Sequence, residues 1–138
     1  MAYEHTIVSV DKTQGAIRKL MMSHGASNIA FASALDPRME GFQATVILDG
    51  KPYGMRLAVP IKDRKNEKLQ DQENRRVWRV LYHHMKAVFE SGDSGVIDIR
   101  ELLLSFLITT DGRTMGQRIL QDLPKAIAAP QKSFLEAR

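Results

Sequence analysis

A length of 138 residues is that of one domain, and a content of 43% hydrophobic against 26% charged residues is too apolar for a chain that is disordered throughout. The absence of cysteine excludes disulfides, thiolate metal sites and cysteine nucleophiles. The formal net charge of +4 is modest, so it matters only where the basic residues are concentrated. We expect a single domain over residues 1–138, with residues 1–10 and 130–138 poorly ordered.

The chain begins with signals for one helix and one strand. Asp11 has the spacing of a capping residue, and apolar residues at helical intervals then predict the first helix over residues 12–24. Short apolar residues over 28–34 predict the first strand. A polar, glycine-containing stretch over 36–41 predicts a loop.

A β-hairpin follows this loop. Apolar residues alternate with others over 42–48, and Asp49-Gly50 supplies the positive φ angles that a tight turn needs before a return strand over 51–61. Pro52 and Pro60 predict that this strand pairs only in its middle and lies at the edge of a three-stranded antiparallel sheet.

The second half of the chain predicts helices. Apolar residues at i, i+3 and i+4 indicate a long amphipathic helix over 68–90, which ends near Gly92. Capping residues from Asp98 begin a shorter helix that stops around Thr109, and Thr114 has the spacing of another cap. The predicted fold class is therefore α+β, with one helix, three strands, the long helix and one or two shorter C-terminal helices.

The net positive charge lies entirely within residues 62–86. This segment has eight basic and four acidic residues, and the rest of the chain sums to zero. At about 100° per residue, Arg75, Arg79, His83 and Lys86 project within one quadrant of the long helix. Such an array can contact successive phosphates. The alternative is a solvated outer face whose basic residues pair with nearby acids.

The only tryptophan, Trp78, shares a helical stripe with Leu81 and Met85, which favours a core position over a platform for base stacking. The candidate nucleic-acid site combines basic residues of the long helix with four residues near its start. Its members are Arg75, Arg76, Arg79, His83, Lys86, Lys62, Arg64, Lys65 and Lys68.

No catalytic motif is present. The chain lacks G-x-S-x-G, H-E-x-x-H, a P-loop and G-x-G-x-x-G. His83 and His84 are adjacent, so on a helix they diverge by about 100° and cannot share a metal ion. We therefore expect a protein that is not an enzyme and has no cofactor and no metal site. No signal peptide and no stretch of ~20 apolar residues is present, so we expect a cytoplasmic protein without a membrane partner.

Motifs in both halves of the chain point to one family. Residues 75–81 read R-x-x-W-R-x-L, residues 111–116 read D-G-R-T-x-G, and residues 42–50 contain F-x-x-x-V-x-x-D-G. Over about residues 11–116 the chain resembles a small family of phage- and prophage-borne proteins. The resemblance implies a viral or prophage setting, in the cytoplasm of a host cell, and implies no reaction.

The order of one helix, three strands and one helix is also similar to the layout of a double-stranded-RNA-binding domain. Residues 49–54 correspond to the second hairpin of that family. The K-K-x-A-K sequence that opens its last helix is absent here, which leaves the corresponding RNA contacts in doubt.

The sequence favours a phage-type accessory protein that binds nucleic acid, or another polyanion, without sequence specificity through the basic helix face. The alternative is a protein-interaction or anti-defence module without catalytic activity, such as an inhibitor, an adaptor or a nucleotide-capturing oligomer. An apolar third helix and seven methionines favour that alternative, whose partner would be a host or phage protein or a second copy of the chain.

Overall fold

The computed structural model describes residues 2–130, so most of the C-terminal segment predicted to be poorly ordered lies outside the described residues. The elements in chain order are α1 (Val10–Ser23), β1 (Ser27–Leu35), β2 (Arg38–Leu48), β3 (Lys51–Pro60), α2 (Glu67–Asp93), α3 (Ile99–Leu103), a 3₁₀ turn (Leu104–Phe106), α4 (Met115–Gln121) and α5 (Leu123–Ala126). The predicted α+β fold class is confirmed. Between residues 2 and 130, none of the helices combines the length and the apolar character that a membrane span requires.

The sheet has the order β1-β2-β3, with both pairs antiparallel. One face of the central strand β2 is apolar, because alternate residues point the same way. Its four alternating apolar residues are all buried, namely Phe42, Ala44, Val46 and Leu48. The β2–β3 hairpin turns at Asp49 (φ 52°) and Gly50 (φ 75°), which confirms the predicted tight turn.

The predicted loop over 36–41 is wrong. Strand β2 begins at Arg38, and only Asp36 and Pro37 remain between β1 and β2. Gly41 suggested a loop, but it is a strand residue that pairs with both neighbours. A Cβ atom at this position would lie 2.4 Å from the carbonyl oxygen of Leu57, so glycine is needed here for close strand approach.

Strand β3 lies at an edge as predicted, but its pairing is not confined to the middle. Register with β2 extends from Lys51 to Pro60. The amide of Ile61 donates to the carbonyl of Arg38 at 3.0 Å, so the neighbouring Pro60 faces away from β2. Pro52 has the same parity along the strand. Both prolines therefore occupy positions where an edge strand needs no donor toward its partner.

Helices α1 and α2 pack on the apolar face of the sheet and run parallel to each other. At one end, Nε2 of His24, the C-cap of α1, lies 2.9 Å from Oδ2 of Asp93, the last residue of α2. At the other end, Val10 in the first turn of α1 and Asn74 of α2 line a common cavity. Helix α1 begins earlier than predicted because Ser9, rather than Asp11, caps it.

Trp78 lies at the centre of the core and is 0% exposed, which confirms its predicted position. Its indole packs edge-on against Phe31 of β1, with ring centroids 5.7 Å apart. The aromatic contact joins α2 to the far strand of the sheet. It leaves no indole face available for base stacking.

The third helix is shorter than predicted. Helix α3 stops at Leu103, and after the 3₁₀ turn the chain is extended. Leu107 bridges to Met55, and the amide of Ile108 donates to the carbonyl of Gly54 at 2.8 Å. The apolar residues of this segment recur at helical spacing, but residues 107 and 108 instead pair with the open edge of β3. The capping box predicted at Thr114 is confirmed at the start of α4.

Candidate nucleic-acid interface

Helix α2 aligns four of the predicted cations along one line. It is continuous over 27 residues, so Lys68 belongs to the helix as well as Arg75, Arg79 and Lys86. At helical spacing these four residues fall within an arc of about 40° and extend over ~27 Å. We call these four residues the cation stripe.

The two arginines of the cation stripe have neutral partners. Arg75 donates from Nη2 to Oε1 of Gln72 at 2.7 Å. Arg79 donates from Nη1 to Oγ1 of Thr13 in α1 at 3.2 Å, and its guanidinium carbon lies 4.9 Å from the ring centroid of Tyr82. Neither arginine forms an ion pair within residues 2–130. Both therefore keep their full positive charge on this flank of α2.

The two lysines at the ends of the cation stripe are exposed. Lys68 forms no ion pair with any residue that the structure describes. Nζ of Lys86 lies 4.0 Å from Oε1 of Glu90, and both side chains are largely in water. Exposed pairs of this kind contribute little free energy and are easily exchanged for another anion.

His83 is covered by the N-terminal segment. The ring of Tyr3 stacks on it, with centroids 4.8 Å apart and an interplanar angle of 6°. Nε2 of Gln72 donates to the carbonyl oxygens of Glu4 at 2.6 Å and Thr6 at 3.2 Å, which holds this segment against α2. No sequence motif signalled these contacts. His83 is thus beside the cation stripe and is reached only at its uncovered edge.

Burial, together with the nearby charges of Arg79 and Lys86, lowers the pKa of His83 from its ordinary value of 6.5. At neutral pH this side chain is therefore uncharged and adds no cation to the stripe.

Arg64 and Arg76 differ from the arginines of the stripe because both bind one carboxylate, that of Glu73, whose side chain is 2% exposed. Arg64 donates to Oε2 of Glu73 from Nη2 at 2.5 Å and from Nε at 3.1 Å. Arg76 donates from Nε to Oε1 at 2.6 Å. Burial opposes the charged form of Glu73, but the hydrogen bonds and charges of Arg76 and Arg64 lower its pKa overall.

Of the two ion pairs that Glu73 forms in this cluster, the sequence spacing indicates only the one with Arg76. Arg76 lies three residues after Glu73, which is a recognised helical pairing distance. Arg64 lies outside the helix, nine residues before Glu73, and only the path of the chain between β3 and α2 brings the two together.

Lys62 and Lys65 lie between β3 and α2 and are exposed, without ion pairs inside the described part of the chain. They are close to the first turn of α2, where the helix dipole is positive. Arg38, the first residue of β2, is at the same end of the molecule and binds Asp63 at 2.7 Å. These lysines therefore extend the positive charge beyond the N-terminal end of the cation stripe.

The nine predicted residues thus fall into three groups with different surroundings. In the first, formed by the cation stripe with Lys62 and Lys65, the four lysines are exposed and the two arginines are half-buried. In the other two, Arg64 and Arg76 hold Glu73, and His83 lies under Tyr3. Among residues 2–130, no group of three histidine or acidic side chains is placed to hold a metal ion. Comparison with protein-family models, with curated protein sequences and with solved structures found no match.

Proposed function

We propose that this protein binds nucleic acid without sequence specificity through the cation stripe, assisted by Lys62 and Lys65. One observation carries the proposal: Arg75 and Arg79 have neutral hydrogen-bond partners, so no acidic residue among 2–130 neutralises their positive charge on this flank of α2. A polyanion that displaces weakly held solvent ions from these side chains gains free energy by counterion release.

The stripe suits a phosphate backbone better than it suits bases. Its four cations are spread over ~27 Å of a straight helix, which is long enough to follow a strand across several phosphates. Trp78 and Phe89 of α2 are buried, and the half-buried ring of Tyr82 is already in contact with Arg79 and His83. Binding should therefore depend on charge and salt and very little on base sequence.

The direct test is charge reversal at the two exposed ends of the stripe. Lys68→Glu/Lys86→Glu should weaken binding to a labelled DNA or RNA duplex by roughly 100-fold at low salt, because two phosphate contacts become repulsions. Fluorescence anisotropy measures the affinity. RNA is tested beside DNA because of the helix–three strands–helix order that resembles double-stranded-RNA-binding domains.

The matched control is Lys51→Glu/Lys125→Glu, which makes the same change of charge at two exposed lysines outside α2. It should weaken binding only slightly, through the change in net charge. Equal losses in the two variants would refute a localised interface. Absence of wild-type binding to either nucleic acid at low salt would end the proposal.

A phage or prophage setting within a host cell is part of this proposal. Its support is the motif resemblance of residues 75–81 and 111–116, and it implies an accessory role in the handling of phage nucleic acid. Genes for replication or packaging beside this one would agree with that role. Neighbouring anti-defence genes would favour the second candidate function.

The second candidate is a protein-interaction or anti-defence module, and one surface favours it. Leu104, Ile119 and Leu120 are exposed and line a cavity of about 390 Å³ between α3 and α4. Exposed apolar groups of this kind are typical of contact surfaces. Light scattering after size exclusion tests whether the chain forms oligomers, and mass spectrometry tests whether a nucleotide is retained. A monomer without nucleotide would exclude the nucleotide-capturing oligomer.

A further inference from the structure

The cluster of Arg64, Glu73 and Arg76 has one cation more than its charge balance requires. The Glu73 carboxylate is buried and needs a counter-ion, since an unpaired buried carboxylate is strongly unfavourable. A single guanidinium would meet that need. Two are present, their side chains 35% and 20% exposed, so the cluster keeps a net charge of +1 beside a nearly buried carboxylate.

The second arginine also leaves hydrogen-bond donors unused. Arg64 directs Nε and Nη2 to Glu73, and Arg76 directs only Nε to it. Nη1 of Arg64 and both Nη atoms of Arg76 donate to no group in residues 2–130. Glu73 fixes the planes of the two guanidinium groups, so the free nitrogens are already oriented before any ligand arrives.

These donors border a cavity. Arg64, Glu73 and Arg76 line a volume of about 350 Å³ together with Leu69 and the N-terminal segment. This size is within the range of small-molecule sites, roughly 300–1,000 Å³. Leu69 adds an apolar wall, so the cavity can accept more than a bare inorganic ion.

The cavity lining also contains an acidic residue, Glu4. Oε1 of Glu4 lies 3.4 Å from Nε2 of His5, which is itself on the cavity wall. The remaining lining residues, Leu69 and Gln72, carry no charge. An anion that enters meets two guanidinium groups on one side.

We propose that this cavity is a binding site for a phosphomonoester dianion, held by Arg64 and Arg76 and oriented by Glu73. Three free guanidinium nitrogens match the three terminal oxygens of a phosphomonoester, and planar guanidinium groups favour that geometry over a single carboxylate. The site borders the cation stripe, since Gln72 lines the cavity and accepts a hydrogen bond from Arg75, but neither of its arginines belongs to the stripe and it does not depend on nucleic-acid binding there. Its ligand is a small phosphorylated compound or the 5′-phosphate at the end of a nucleic acid.

The first measurement uses the wild-type protein and needs no variant. Nuclear magnetic resonance follows the Nε–Hε signals of Arg64 and Arg76 during titration with inorganic phosphate, with adenosine 5′-monophosphate and with adenosine. Both phosphate compounds should shift these signals at saturating concentration, and adenosine should not. The signal of Arg56, which is bound to Gly112, is the internal reference. Equal shifts at all three arginines, or none, would overturn the proposal.

Variants then separate binding from general charge. Arg76→Met keeps the aliphatic stem and should reduce phosphate affinity by at least about tenfold. Arg56→Met removes a guanidinium on another surface and should leave phosphate affinity unchanged. Circular dichroism confirms that each variant is folded, and equal losses in both variants would contradict the site.

Two oligonucleotides distinguish the sources of the phosphate. If the ligand is a nucleic-acid end, a 5′-phosphorylated strand should bind more tightly than the same strand with a 5′-hydroxyl, and Arg76→Met should abolish that difference. If the ligand is a small molecule, the two strands should bind equally while adenosine 5′-monophosphate still shifts the arginine signals. Binding at the cation stripe is measured with 5′-hydroxyl duplexes, so each proposal can fail without the other.

Discussion

The two flanks of α2 present arginines in opposite electrostatic settings. On one flank, Arg75 and Arg79 hydrogen-bond to neutral oxygens, and their positive charges have no acidic partner among residues 2–130. On the other flank, Arg64 and Arg76 enclose the buried carboxylate of Glu73. Arginine therefore adds positive charge to the surface in one place and neutralises a buried carboxylate in the other. Partners, rather than composition, decide which cations a polyanion can use.

The largest expected difference between the flanks is in stability. Arg64→Met/Arg76→Met leaves the buried Glu73 without a partner and should lower the free energy of unfolding by about 3 kcal/mol or more. Arg75→Met/Arg79→Met removes two hydrogen bonds to neutral groups and the contact of Arg79 with the Tyr82 ring, and should lower it by about 1–2 kcal/mol. Urea denaturation measures both values. Equal values would mean that Glu73 is not held by its arginines.

The pH dependence of this stability gap provides a second check. In the wild type, the lowered pKa of Glu73 contributes stability above its ordinary value of 4.5, and this contribution is lost as the pH falls through the folded-state pKa. In Arg64→Met/Arg76→Met the buried, unpaired carboxyl should have a raised pKa, which destabilises the fold as the pH rises. The gap should therefore shrink on acidification, and a constant gap would contradict the assigned cause.

Affinity for nucleic acid should show the reverse order. Arg75→Met/Arg79→Met removes two uncompensated charges and should weaken binding to a 5′-hydroxyl duplex by at least about tenfold. Arg64→Met/Arg76→Met should weaken it by less than about threefold, because these charges are already engaged by Glu73. Anisotropy titrations of both variants at one salt concentration make the comparison. A larger loss of affinity in Arg64→Met/Arg76→Met would mean that nucleic acid binds beside Arg64 and Arg76 rather than at the cation stripe.

A smaller effect is expected at the two histidines whose pKa values are shifted. His83 is beside the cation stripe and has a lowered pKa, so a bound polyanion should raise it. His24 lies beside Asp93, the last residue of α2, and is not part of the cation stripe. The backbone carbonyl of Leu20 raises its pKa, burial opposes this, and Asp93 raises it further. Nuclear magnetic resonance titration with and without a duplex should move only His83, and equal movement of both would indicate non-specific coating of the protein.

Much of the fold followed from local chemistry. Alternation over 42–48, the Asp49-Gly50 turn and the apolar stripe of α2 each depend on residues close in sequence, and all three predictions are confirmed. The errors arose where a distant element decided the outcome. The β1–β2 turn is shorter than predicted because Gly41 permits close strand approach. Helix α3 is shorter than predicted because the edge of β3 binds Ile108.

The candidate site was less predictable for the same reason. Helical spacing put Arg75, Arg79 and Lys86 on one flank of the long helix, but spacing cannot supply the partner of each charge. Thr13 lies 66 residues from Arg79, and Tyr3 lies far from the His83 ring that it covers. Such contacts depend on the packed positions of α1 and the N-terminal segment, which no periodicity encodes.

The central claim is that the cation stripe neutralises phosphates, and the salt dependence of binding tests it most directly. Four phosphate contacts predict a slope of about −3 to −4 for the logarithm of the wild-type association constant against the logarithm of salt concentration. Lys68→Glu/Lys86→Glu should reduce the magnitude of this slope by about 2, because each lost contact removes about one unit. A wild-type slope near zero, or an unchanged slope in the variant, would contradict the account.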